Sequence, residues 1–305
     1  MEHGSRRAII AAFLANLGIA IAKGVAYFAT GAASMLAESI HSLADTGNQG
    51  LLLLGGNRGR RAPTDEHPFG YGRERYFWAF VVALVLFAMG SVFAIVEGIH
   101  KIRHPAPLES AGWAVGTLLV AVILETLSFR TALREASPLR GDQSWWGFIR
   151  TAKSPELPVV MLEDLGALLG LTFALAGVGL ATLTGEPRFD AMGSVAIGCL
   201  LGVIAIVLAI EMKSLLVGEA ASPGQQLAIR ESFEGSKHVR RVIHMRTLHL
   251  GPDELLVAAK LEFEPSLSLL ELAHAIDATE SSVRDRVPSA RLIFIEPDVF
   301  RPTES

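Results

Sequence analysis

The chain has 305 residues, 50% of them hydrophobic and 19% charged, with a formal net charge of −4. That is more apolar than a soluble protein of this length needs to be, and a slightly acidic balance excludes the basic stripe of a nucleic-acid footprint. The single cysteine, Cys199, lies within an apolar block, which excludes a disulfide framework and a thiolate cluster for a structural metal.

Apolar blocks fall at about residues 8–30, 32–55, 76–99, 110–132, 157–183 and 189–212, each near the length of roughly 20 residues that crosses about 30 Å of hydrocarbon. The first is longer than the apolar core of a signal peptide and lacks a small-residue cleavage site, so it reads as a retained helix. Six spans put both ends of the chain on one side. Arg58, Arg60, Arg61, Arg73 and Arg75 follow the second span, and Arg134, Arg140, Arg150 and Lys153 follow the fourth. The turns on the other side carry only Lys101, Arg103 and Arg188. This bias predicts a multi-pass protein with both termini cytoplasmic, expected in a bacterial plasma (inner) membrane.

After Ser222 the pattern becomes that of a soluble domain. A polar helical stretch to Glu234 precedes a strand from Val239 to Leu250, a turn at Gly251-Pro252-Asp253, and an alternating strand with Leu255, Val257, Ala259, Leu261 and Phe263 on one face. Ser268 and Glu271 form a capping-box pattern ahead of a helix carrying Leu269, Leu272, Ala273, Ile276 and Val283. Pro288 ends that helix, and Arg291 to Glu296 reads as a last strand. The expected fold is an all-α six-helix transmembrane domain over 1–218, followed by a small α+β domain over 219–305 with helices on one face of a sheet.

Ionisable groups at membrane depth are costly and mark function. The second span carries Glu38, His41, Asp45 and Asn48 on one helical face, with Gln49 beside them. Glu163 and Asp164 open the apolar part of the fifth. A lone histidine in a helix is usually a hydrogen-bonded structural group, but His41 has Asp45 one turn on and an acidic pair on another span. An imidazole with carboxylates suits a borderline divalent ion such as zinc, whereas an all-oxygen set would suit calcium or magnesium. His41, Asp45 and Asp164 are the expected ligands. Glu163 points about 100° away from Asp164, and it serves as a further ligand, in helix-end packing or in proton handling. Lys23, Asn16, Glu97 and Glu125 read as structural. Metal binding needs neutral His41 and ionised carboxylates, so metal and protons compete for the same lone pairs, and an ordinary histidine pKa of about 6.5 puts that competition near physiological pH.

The stretch from Ala37 to Gln49, His67-Pro68-Phe69-Gly70-Tyr71-Gly72-Arg73-Glu74-Arg75, and Leu162-Glu163-Asp164 together resemble the cation diffusion facilitator family. Asn48-Gln49, Arg75-Tyr76 and Leu162-Glu163-Asp164 are similar to its zinc transporter 9-like branch. The resemblance implies a homodimer in the lipid bilayer, a cytoplasmic ferredoxin-like (metallochaperone-like) domain, and export of a divalent metal against protons by alternating access. The metal, zinc or alternatively manganese, iron, cobalt or nickel, is then the transported substrate, and no cofactor is expected. His41 and Asp45 match the family's first ligand pair. Aligning Asp164 with the acidic member of the second pair puts Val160 where many zinc transporters have histidine or aspartate, and leaves Glu163, Asn48 or a water to complete the set. In the loop, His67 matches a family metal site but Tyr71 replaces its second histidine, with Asp65 or Glu66 the available carboxylates. In the tail, His244, His249 and His274 with Glu296 are the candidates for the family's dimer-stabilising metal site, but Phe294 and Lys260 stand where histidines are frequent, so these histidines are expected at the surface. A membrane-anchored metal sensor or scaffold is the alternative class. An enzyme is not expected, since neither His-Glu-x-x-His nor Gly-x-Ser-x-Gly occurs.

Overall fold

The structure is a computed structural model that describes residues 2–30, 33–105 and 111–301; the side chains of Lys23 and of 33–41, His41 and Glu38 among them, lie outside the description. The chain divides into two compact units, Met1–Arg58 with Glu74–Lys213, and Gly59–Arg73 with Ser214–Ser305.

In the first unit α1 (Glu2–Thr30) and α2 (Ala33–Arg58) are followed by α3 (Glu74–Val85), a π-helical turn Leu86–Val92 and α4 (Phe93–Arg103), which run on as one rod. Then come α5 (Ala111–Arg140), a short α6 (Trp145–Thr151), α7 (Glu156–Thr184) and α8 (Arg188–Val217). Among the described residues Glu74–Arg103, Val115–Arg140, Glu156–Thr184 and Arg188–Val217 are long and apolar enough to cross a membrane. The helices coincide with the six apolar blocks but run past them, because helices continue through the polar boundary where a hydropathy reading stops. Two features leave no mark in that reading. The π turn adds residues to one turn without breaking the apolar run. The helix α6 is too short for a periodicity; Ser144 caps it, its Oγ accepting from Gly147 N–H at 3.0 Å, and it buries Phe148 and Ile149 while exposing Trp145 and Trp146.

Lipid chains are as apolar as leucine, so helix association in a membrane relies on close packing at small residues. That is how α8 is held. A Cβ at Gly198 would lie 2.6 Å from Ile95 Cγ1 and 2.9 Å from both the Ile95 N and the Ser91 carbonyl, and one at Gly98 would lie 2.9 Å from the Ala191 carbonyl. On the α7 side, Gly177 faces the Phe189 carbonyl at 3.0 Å and Gly193 faces the Phe173 carbonyl at 3.1 Å.

The second unit contains α9 (Pro223–Glu234), β1 (Val239–Gly251), β2 (Glu254–Phe263), α10 (Leu269–Arg286) and β3 (Ala290–Pro297). The sheet order is β1-β2-β3; β1 pairs antiparallel with β2, Met245 opposite Ala259, and β2 pairs parallel with β3, Ala258 opposite Phe294. The alternation in β2 does what its sequence predicts: Leu255, Val257, Ala259, Leu261 and Phe263 are buried with Ile229 and Phe233 of α9 and Val283 of α10. The capping box forms at Ser268 and Glu271. The segment 59–73 belongs to this unit, where Gly72 meets the hairpin so closely that a Cβ there would lie 2.7 Å from the Leu250 carbonyl. One expectation fails here: His249 is not a surface residue but 1% exposed. It sits at the end of β1 that Gly72 covers, with its Nδ1 3.4 Å from the Gly251 carbonyl and its backbone N–H donating to the Glu219 carbonyl at 2.9 Å.

Two outcomes follow. Gly198→Ala drives a methyl into the α4 backbone and destabilises the helical unit by roughly 1–3 kcal/mol, read as a lower thermal midpoint in detergent, whereas Gly179→Ala, with nothing within 4 Å, leaves the midpoint unchanged. In the tail, the Ser268 hydroxyl and N–H hold the Glu271 carboxyl below its ordinary value of 4.5. A depressed folded pKa means that this stabilisation is present above the unfolded value and is lost as pH falls through the folded one. Protection factors of the first-turn amides of α10, corrected for the intrinsic pH dependence of exchange, therefore fall on acidification, and Ser268→Ala flattens that dependence.

Candidate metal site

Helical spacing puts Asp45 and Asn48 on one face of α2, with Gln49 beside Asn48 and one turn beyond Asp45. Asn48 and Gln49 are buried, at 3% and 0% exposure, and both turn toward α7. There the Asn48 amide donates to Glu163 Oε1 at 3.1 Å and the Gln49 amide donates to Glu163 Oε2 at 2.5 Å. The next residue, Asp164, points elsewhere and accepts from the Ser128 hydroxyl of α5 at 2.8 Å. Asp45 is close enough for its charge to act on both Glu163 and Asp164. Val160, one turn before Asp164, is fully buried.

The amides of α2 one turn beyond Asp45 and the Ser128 hydroxyl of α5 thus reach Glu163 and Asp164 of α7. The backbone of His41 lies one turn before Asp45 on α2, and its side chain is outside the described residues. Among the described residues no three His, Cys, Asp or Glu side chains converge as metal ligands. Glu163, expected as a possible ligand, has both oxygens engaged by amides. Gln49 and Ser128 are the residues of this cluster to which sequence reasoning assigned no role. Gln49 sits at helical spacing from Asp45 and could have been found; a serine in an apolar span gives no such signal. Several carboxylates gathered in apolar surroundings are stable only with donors, a cation or protons to meet their charge.

A second polar pair lies at the start of α3 and α7. Arg75, counted with the basic loop by sequence, is buried and donates through Nε to Glu156 Oε1 at 2.5 Å. Elsewhere Glu125 and Asn16 are buried as expected for structural residues, while Glu97 is near the surface with Lys101 at 3.7 Å. In the second unit the His67 ring stacks on Tyr71 with centroids 4.5 Å apart, and the Tyr71 hydroxyl is 3.2 Å from Thr64 Oγ1. Lys260 pairs with Glu296 at 2.9 Å, and the Arg246 Nε donates to His244 at 2.9 Å.

Long apolar helices enclosing buried carboxylates and amides define a polytopic membrane protein. Residues 9–217 match the family model of the cation efflux transmembrane domain. The chain belongs to the cation efflux (cation diffusion facilitator) family. It is 33% identical over 245 residues to the mouse "Proton-coupled zinc antiporter SLC30A9, mitochondrial", covering 79% of this chain and 43% of that protein. It is 28% identical over 291 residues to the "Cation-efflux pump FieF" of Klebsiella pneumoniae, covering 95% of this chain and 91% of that protein. Among solved structures, a nickel form of the MamM C-terminal domain is similar at 18% identity and a TM-score of 0.25, over 26% of this chain and 100% of that one. The chain spans less than half the length of the mouse, frog and human zinc-antiporter relatives it matches.

Removing one partner of the Arg75–Glu156 pair leaves a buried charge alone. Arg75→Ala is expected to cost about 3–5 kcal/mol and to lower the thermal midpoint of the detergent-solubilised protein. Lys101→Ala, at an exposed pair, shifts it by less than about 1 kcal/mol.

Proposed function

We propose that this protein exports a divalent metal ion, zinc in the first instance, across a membrane in exchange for protons, through a site that includes His41, Asp45 and Asp164. The observation that carries this reading is that the amides of Asn48 and Gln49, one turn beyond Asp45 on α2, reach Glu163 beside the buried Asp164 on α7, inside the helical unit of a cation efflux family member. The similarity to the mouse proton-coupled zinc antiporter supports both the metal and the counter-ion. Asn48 and Glu163 belong to the same locus, and an oxygen-rich set beside one imidazole also accommodates manganese, iron, cobalt or nickel.

Exchange follows from the ligand chemistry. Carboxylates and imidazole hold either the metal or protons. A site open to the more acidic side fills with protons and releases metal; a site open to the other side loses protons and takes metal up. An inward proton gradient then drives export. In this reading 1–218 is the transport domain and 219–305 a cytoplasmic ferredoxin-like domain, with both termini cytoplasmic in a bacterial plasma membrane and the working unit a homodimer.

The test is zinc flux in vesicles containing the purified protein. An imposed pH gradient directed against zinc movement accelerates flux, and Asp45→Ala and Asp164→Asn reduce it to that of empty vesicles. Flux indifferent to the gradient would remove the proton coupling. Zinc binding without flux in the unaltered protein would replace transport by a sensor.

A further inference from the structure

Glu163 and Asp164 are neighbours in sequence, yet they face different helices. Asn48 and Gln49 turn their NH2 ends toward Glu163, the one donating to Oε1 and the other to Oε2. This fixes the orientation of both amides. It also turns Asn48 Oδ1 and Gln49 Oε1 away from Glu163, and both oxygens are buried without a hydrogen-bond partner among the described residues. Buried amide oxygens are nearly always met by a donor. Two of them, on residues 3% and 0% exposed, call for a donor or a cation beyond the described residues.

The ligand set proposed above has a gap of matching character. Val160 stands fully buried one turn before Asp164 and offers no donor atom, while a divalent ion such as zinc favours four ligands. Asn48 lies three residues after Asp45, on the same face of α2. We propose that Glu163 is a positioning residue and not a metal ligand. By gripping the Asn48 amide through its nitrogen, it presents Asn48 Oδ1 as the oxygen ligand that takes the place Val160 leaves vacant. Gln49, held in the same way by the other carboxylate oxygen, locks α2 to α7 so that Asp45 and Asp164 keep their spacing. The inference deepens the proposed transport site and rests on it.

Cobalt(II), whose visible absorption reports its ligands, is the probe, added to the purified full-length protein in detergent. Loss of an outer hydrogen-bond partner of a ligand weakens metal binding about 10–100-fold without abolishing it. Glu163→Gln is therefore expected to bind cobalt that much more weakly, with an altered spectrum. The double variant Asn48→Asp with Glu163→Gln exchanges donor and acceptor, remakes the hydrogen bond and restores affinity to the unaltered level or better. Complete loss of cobalt absorption in Glu163→Gln, as in Asp164→Asn, would make Glu163 a ligand and overturn the proposal. Unchanged affinity and spectrum would overturn it too. Should Glu163→Gln fail to fold, the double variant decides: cobalt bound near the unaltered affinity supports the positioning role, and no binding rejects it. If Asp45→Ala and Asp164→Asn both keep cobalt binding unchanged, the transport-site reading fails instead.

Discussion

A carboxylate surrounded by hydrocarbon has to be met by donors, by a cation or by protons, and the arrangement around α7 follows from that requirement. Two adjacent carboxylates cannot be met by the same neighbours, since consecutive residues on a helix point about 100° apart. Glu163 is met from α2 by two amides, and Asp164 from α5 by a hydroxyl. One dipeptide therefore ties three helices together. Glu163 receives neutral donors on both oxygens; Asp164 receives one neutral hydroxyl and stands near the negative charge of Asp45. In the proposed site that asymmetry is what distinguishes Glu163, the positioning residue, from Asp164, the ligand.

The outline of the fold was legible because its signals are strong ones. Apolar runs of helical length, strand alternation from Leu255 to Phe263, and the serine–glutamate cap at 268 and 271 each draw on many residues or on a specific reciprocal geometry. What escaped was decided by tertiary contact. The Arg75–Glu156 pair joins residues 81 apart, and nothing in the loop sequence separates a buried arginine from the exposed ones beside it. His249 looks like any strand histidine until Gly72 is seen to close over the end of β1.

The candidate site divides the same way. The spacing of Asp45 and Asn48 on one helical face was readable, as was the acidic dipeptide at 163 and 164. Which member of that dipeptide faces α2 depends on the rotation of α7 about its axis, and no local pattern fixes rotation in a helix apolar on every side. The role of Gln49 was hidden for the same reason: an amide at membrane depth announces that it needs a partner without saying which.

The glycine contacts along α8 bear on how such a unit can move. Where backbone carbonyls rest directly against a neighbouring helix, no side chain can change rotamer to cushion a slide, and a small displacement becomes a collision. The rod α3–α4, α8 and the second half of α7 are thereby fused into a stiff plate. Asp164 is fixed to that plate, and Asp45 rides on α2, whose connection to it near the site runs through amide hydrogen bonds that can be broken and remade. At that seam the residues that join α2 to α7 are also residues of the candidate site, so a break in the joint would be a change in the site.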